Sequence, residues 1–296
     1  MRERFVGFEA RSLPASAGAI AYRIGGSGPP LFLLHGYPET HLMWHRVAPL
    51  LASSFTVVCP DLRGYGDSAK PPTTPDHEPY SKRAMASDVL ALADHLGFRT
   101  FAACGHDRGA RVLHRLCLDQ PERVVRAALL DIVPTLTLFE KTDQAIASGY
   151  FHWFFLSQPA PLPERLIGGN PRFWLEWILG RWAARPVAEV FPADVFDAYL
   201  RAFSEPATIH ATCEDYRAGA TIDLEHDRAD RHRRIGCPLL VLWGATGLIA
   251  RHFDVLACWR EKAAGSVEGR ALSCGHFLPE EAAEETALEL LRFFRA

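Results

Sequence analysis

Asp107 sits in Gly105-His106-Asp107-Arg108-Gly109-Ala110-Arg111, between the apolar run Phe101-Ala102-Ala103-Cys104 and a helical pattern at Val112, Leu113, Leu116 and Cys117. A G-x-D-x-G turn between a strand and a helix is an arrangement that exposes a nucleophile at the strand's carboxyl end. Here the nucleophile is a carboxylate, and attack by it leaves a covalent ester. The glycines at 105 and 109 have a steric role, because a strained turn leaves no room for Cβ atoms beside the reacting side chain. Arg108 and Arg111 follow Asp107 at spacings of one and four. Cations at a helix N-terminus are electrostatically disfavoured, so two of them ask for a compensating anion, and a small anionic substrate would supply it. Taken singly, Asp107 is also a common N-cap type, and arginines are common on helix surfaces. The glycines, the arginines and a distant histidine occurring together point to chemistry.

That histidine is His276, in Cys274-Gly275-His276-Phe277. It is placed to deprotonate a water that attacks the ester. An acid must hold its ring, and Asp131, at the end of the run Ala127-Ala128-Leu129-Leu130, is the candidate. After Trp243 the chain runs Gly244-Ala245-Thr246-Gly247-Leu248-Ile249, with no carboxylate until Asp254, which stands in reserve. His35-Gly36-Tyr37-Pro38 follows the buried-strand run Leu31–Leu34 and is suited to aiming backbone N–H groups at developing charge. Asp61, Arg63 and Asp67 read as turn scaffolding. His106 is expected to face away from the site.

The positioning elements follow from hydrophobic periodicity. Alternation near Phe8–Arg23 predicts early strands, and continuous apolar runs at 31–34, 55–59, 101–104, 126–133 and 238–243 predict strands buried on both faces. Helical patterns near 81–96, 252–263 and 280–295 separate or follow them. Strand–helix alternation gives an α/β protein with a doubly wound, mostly parallel sheet. From 134 to 233 the composition changes to crowded aromatics interrupted by prolines, which predicts a helical cap inserted into a core formed by 1–133 and 234–296. A net charge of -3 carries no basic footprint for nucleic acid. The seven cysteines are scattered and lack C-x-x-C spacing, so they read as small core residues of a reducing, cytoplasmic compartment. No apolar run approaches membrane-spanning length, and no ligand cluster suggests a metal or organic cofactor.

With these residues in place, the chain resembles the aspartate-nucleophile α/β-hydrolases, and within them the haloacetate (fluoroacetate) dehalogenases. The matching segments are HGYPETHLMWHRVAPLL (35–51), DLRGYGDSAKP (61–71), GHDRGAR (105–111), LDIVPT (130–135), HWFFLSQPAPLPE (152–164), CEDYRAG (213–219) and CGHFLPEE (274–281). The resemblance implies an α/β-hydrolase fold with an inserted cap, and an SN2 displacement of halide by Asp107. His276 and Asp131 would then drive hydrolysis of the ester. It implies that Arg108 and Arg111 bind the substrate carboxylate, and that His152, Trp153 and Tyr216 donate hydrogen bonds to the departing halide. Gly36 and Tyr37 would form the oxyanion loop, Trp182 would line or gate the pocket, and the protein would be a homodimer. Electrostatics is consistent with the arginines: carboxylate meeting carboxylate at 4 Å costs about 4 kcal/mol at an effective dielectric of 20, and a guanidinium fork offsets it. The chain departs from the pattern at Tyr37, where phenylalanine is familiar. An epoxide hydrolase is the alternative, although such enzymes usually use two cap tyrosines and only Tyr216 is matched here.

Overall fold

The computed structural model describes residues 4–296. β1 (Phe8–Ala15) and β2 (Gly18–Gly26) form an antiparallel hairpin at one sheet edge, with many side chains exposed. The apolar runs form the centre: β3 (Pro30–Leu34), β4 (Thr56–Pro60), β5 (Phe101–His106), β6 (Val124–Leu130) and β7 (Leu239–Gly244); β8 (Val267–Leu272), with Glu268 and Arg270 among its residues, closes the other edge. Strand order is β1-β2-β4-β3-β5-β6-β7-β8. β2 pairs antiparallel with β4, and every pairing from β4 to β8 is parallel. This is the mostly parallel, doubly wound sheet expected of the sequence.

Period-two alternation sends consecutive residues of the central strands into two separate cores. Phe32 and Leu34 of β3 pack with Met85, Val89, Leu113 and Leu116, from the helices Lys82–His95 and Asp107–Asp119. Leu31 and Leu33 pack on the other face with Leu290 and Phe293 of the helix Ala283–Arg295. Burial on both faces is why all six residues of β5 are enclosed. The chain leaves β3 for β4 on one side and returns to β5 on the other. The carboxyl ends of β3 and β5 therefore flank a topological switch point, the usual ligand crevice of such sheets.

Three expected elements differ in detail. The helix expected over 252–263 is two pieces, Leu248–His252 and Val255–Arg260, because the Asp254 carboxylate accepts from Ala257 N at 3.0 Å and caps the second. The C-terminal helix divides into Leu278–Glu281 and Ala283–Arg295. The short helix that the pattern Trp44 to Leu51 predicts is a 3₁₀ turn, His41–Arg46, followed by Ala48–Leu51.

Between β6 and β7 lie only helices, from Thr135–Glu140 to Ile222–Ala229. Several prolines that interrupt the helical pattern start helices: Pro163, Pro171 and Pro206 occupy first-turn positions, where no N–H is needed. The longest of these helices, Pro206–Ala220, is largely buried and carries Asp215 and Tyr216. All seven cysteines are free thiols, six of them buried. Among the described residues, no helix is long and apolar enough to cross a membrane.

Candidate active site

β5 ends at His106, and the helix Asp107–Asp119 begins at once. Asp107 holds the turn at a φ of 43°, a left-handed conformation unusual for a non-glycine residue. A Cβ at Gly105 would lie 2.6 Å from the Ala110 backbone, and one at Gly109 would lie 2.4 Å from the His35 carbonyl. Both glycines are therefore required by close backbone approach. His106, not Asp107, is the helix N-cap residue, and its side chain makes no cap bond. The Asp107 carboxylate is thus free of capping duty, and its Oδ2 accepts from Tyr37 N at 3.1 Å. Gly36 stays small for the same reason, since its Cβ would meet Asp107 Cβ at 2.8 Å. Burial pushes the Asp107 pKa upward, but His276, Arg111 and Arg108 prevail and hold it below the usual carboxylate value.

His276 follows β8 and reaches Asp131 from the end of β6. Because a carboxylate accepts only, Nδ1 donates to Asp131 Oδ2, at 2.5 Å. That leaves Nε2 of the neutral ring with a lone pair. Asp131 also has a left-handed backbone, at φ 51°, and its Oδ1 accepts from Gly244 N at 2.9 Å. Burial lowers the His276 pKa, but the hydrogen bond and charge of Asp131 raise it further, giving a net upward displacement. Asp254, the reserve acid, is occupied as a helix cap. Asp61 and Arg63 are scaffolding: Asp61 accepts from His41 N and Asp67 N, and Arg63 pairs with Asp88.

His106, expected to face away from the site, lines no part of the pocket around Asp107 but packs against His276. Its Nε2 donates to the His276 carbonyl at 2.8 Å, its ring lies 4.5 Å from the His276 ring, and burial lowers its pKa to about 3. A permanently neutral imidazole there supports His276 without adding charge. The only hint in the sequence was adjacency to Asp107.

The two arginines are held differently. Arg108 is buried, and its Nε and Nη2 donate to the two carboxylate oxygens of Asp215 at 2.9 and 2.6 Å, leaving Nη1 without a protein partner. Lys82 and the Tyr65 hydroxyl bind the same carboxylate. Arg111 has no carboxylate bonded to it; its Nη1 donates to Val133 O and Thr135 Oγ1, and its Nε is unpartnered. Burial lowers the Arg111 pKa to about 10, partly opposed by Asp107, so it remains a cation at neutral pH. Its guanidinium lies 4.5 Å from the Trp153 ring centre, and that of Arg108 lies 4.2 Å from the Tyr216 ring centre. These aromatic faces hold both cations in place.

Asp107, Arg111, Tyr150, His152, Trp153, Trp182 and His276 enclose a cavity of about 10 Å³. This is roughly one water-sized body. Arg108 and Tyr216 stand just behind the lining. His152 Nδ1, Tyr216 Oη, Trp182 Nε1, Arg108 Nη1 and Arg111 Nε are buried without protein partners. Buried polar atoms are ordinarily paired, so five such atoms in and behind the wall of one cavity mark it as a candidate ligand site. Burial holds the His152 pKa well below the ordinary value, so its ring is neutral. Trp182 lies 4.4 Å from the His152 ring and 5.4 Å from His276, and its carbonyl accepts from His276 N. Tyr150 and Asp215 escaped sequence reasoning. Tyr150 looked like one more aromatic in an aromatic-rich stretch. The buried hydroxyl of Tyr37 accepts from Trp174 Nε1 at 2.6 Å. Among the described residues, no group of three or more His, Cys, Asp or Glu side chains is placed to hold a metal.

The alpha/beta hydrolase fold family matches residues 29–283, and the chain belongs to that family. Within it, the chain is similar to a fluoroacetate dehalogenase from Burkholderia sp, 46% identical over 98% of this chain and 94% of that protein. A soluble epoxide hydrolase from Corynebacterium sp. (strain C12) is 34% identical over 92% of each chain. Among solved structures, the alpha/beta hydrolase ALR0039 from Nostoc sp PCC 7120 superposes with a TM-score of 0.96 at 54% identity, covering 98% of this chain and 99% of that one.

Proposed function

We propose that the protein hydrolyses haloacetates to glycolate and halide, through an ester on Asp107. The observation that carries this reading is Arg111, a buried cation with no carboxylate bonded to it, lining the same small enclosure as the nucleophile. The free edges of Arg108 and Arg111 would each take one oxygen of the substrate carboxylate. Asp107 Oδ1 then attacks the α-carbon in line with the halogen, the carbon–halogen bond breaks, and the halide leaves with the bonding pair. His152, Trp153 and Tyr216 replace its hydration, and the unpartnered Trp182 N–H is a further donor within the same enclosure.

Esterification removes the negative charge of Asp107. That charge favours protonated His276, so the ester intermediate has a more readily neutral His276. The base is therefore released when it is needed. Water attacks Cγ of Asp107 and gives a proton to His276 Nε2. The developing oxyanion is Oδ2, already bound by Tyr37 N. Collapse expels the glycolate oxygen, which takes the proton from His276, and Asp107 gives up the remaining proton to solvent.

A second reading, epoxide opening, has one observation in its favour. Tyr150 lines the cavity and Tyr216 stands behind it, so two tyrosines flank the site rather than the single matched one. Halide release from fluoroacetate and chloroacetate, assayed beside hydrolysis of a neutral epoxide, separates the readings. Halide release is expected, with no turnover by Asp107→Asn, and His276→Asn should accumulate an Asp107 ester visible by mass spectrometry. Turnover of the epoxide alone would overturn the haloacetate assignment.

A further inference from the structure

A second cavity, of about 270 Å³, adjoins the first and shares Tyr150, Trp182 and His276 with it. Its outer wall carries Arg181 and Arg251, both solvent-exposed. Neither side chain is ion-paired among the described residues. Arg181 donates to Ser148 O at 3.2 Å and lies 5.2 Å from the Trp177 ring centre; Arg251 donates to Gly247 O at 3.3 Å. The only carboxylate in the wall, Asp131, is already bound to His276 and Gly244 N. Burial, with the charges of Asp131 and Asp107, pushes the Tyr150 pKa well above the ordinary phenol value, and Arg111 and Arg251 oppose this only in part, so its hydroxyl stays protonated.

The inner cavity is too small to admit a haloacetate without side-chain movement. Tyr150 and Trp182 are the residues common to both cavities that are free of the Asp131–His276 bond. We propose that the outer cavity is an antechamber for small monocarboxylates and halides, in which Arg181 and Arg251 gather the anion and Tyr150 and Trp182 form the throat to Asp107. This rests on the reading of an anionic substrate. A cleft lined by one sign of charge concentrates counter-ions and raises association rates. Because these arginines are exposed, the effect is screened within a Debye length, about 10 Å at 0.1 M salt.

The test is the ionic-strength dependence of kcat/KM for chloroacetate in wild type, Arg181→Gln/Arg251→Gln and the charge-retaining Arg181→Lys/Arg251→Lys. The Gln variant is expected to lose about 3- to 10-fold in kcat/KM at low salt and to converge on wild type at high salt, while the Lys variant follows wild type throughout. A loss of equal size at both salt concentrations, or none at low salt, would overturn the antechamber. An independent readout needs no turnover: iodide quenching of the Trp182 fluorescence, isolated by difference against Trp182→Phe. Iodide quenching should fall in the Gln variant while quenching by neutral acrylamide does not; equal iodide quenching counts against the proposal. If charge-dependent iodide quenching appears without chloroacetate turnover, the anion site stands and the haloacetate reading fails. Turnover with no charge dependence of either kind sinks the antechamber alone.

Discussion

At the scale of single residues, His276 links structure to a measurable pH profile. In the proposed reaction, water activation needs its neutral form, and Asp131 raises its pKa above the ordinary histidine value of about 6.5 against the opposing effect of burial. The ester-hydrolysis rate should therefore rise with pH through a limb lying above that value. Asp131→Asn removes the charge that favours the cation, so the limb should move to lower pH, with a rate loss of up to about 10⁴-fold from poorer ring orientation. A pH profile of single-turnover ester hydrolysis checks both; an unmoved limb would refute the electrostatic role of Asp131. Much at this scale was legible, because the constraints of the G-x-D-x-G turn are local: Gly105, Asp107 and Gly109 lie within one turn of chain, and their steric logic can be read directly. The pairing of Arg108 with Asp215 spans 107 positions. Nothing in either segment alone announces it, so two donors of Arg108 that looked ready for substrate are held by the protein itself.

At the scale of elements, the helix Pro171–Trp182 connects the cap to the catalytic loops. Trp174 Nε1 donates to Tyr37 Oη at one point, and the Trp182 carbonyl accepts from His276 N at its end. The Tyr37 hydroxyl is thus a tether between the Gly36-Tyr37 loop and the helix Pro171–Trp182. Tyr37→Phe should cost about 1 kcal/mol and speed amide exchange across 171–182 by about fivefold, measurable by hydrogen–deuterium exchange. Unchanged protection there would show that the tether carries no load. The strands were legible from continuous apolar runs, whose burial on both faces leaves few alternatives. Helix ends were less so: the break at Asp254 depends on a side-chain cap that competes with helix continuation, and periodicity alone does not register it.

At the scale of the whole molecule, buried charge joins the helices between β6 and β7 to the rest of the chain. Asp215, on the helix Pro206–Ala220, is bound by Arg108 from the helix Asp107–Asp119 and by Lys82 from the helix Lys82–His95. Burial raises the Asp215 pKa, but Arg108 and Lys82 overcome that and hold it well below the usual carboxylate value. A depressed carboxylate stabilises the fold above its unfolded pKa of about 3.9 and loses that contribution as pH falls through the folded value. Acid titration of unfolding should show this loss below about pH 4 in wild type. Asp215→Asn should lack it and be less stable at pH 7 by about 3–5 kcal/mol, since it strands two buried cations. Denaturant midpoints across pH 2–7 test this; a variant as stable as wild type at pH 7 would refute it.

That shared carboxylate also limits how the enzyme can diversify. If Arg108 binds the substrate carboxylate as proposed, replacing it with a neutral residue to admit uncharged substrates also leaves Asp215 with only Lys82 and Tyr65. On that reading a change of substrate class at residue 108 carries a cost in fold stability, which a matching change at residue 215 would relieve.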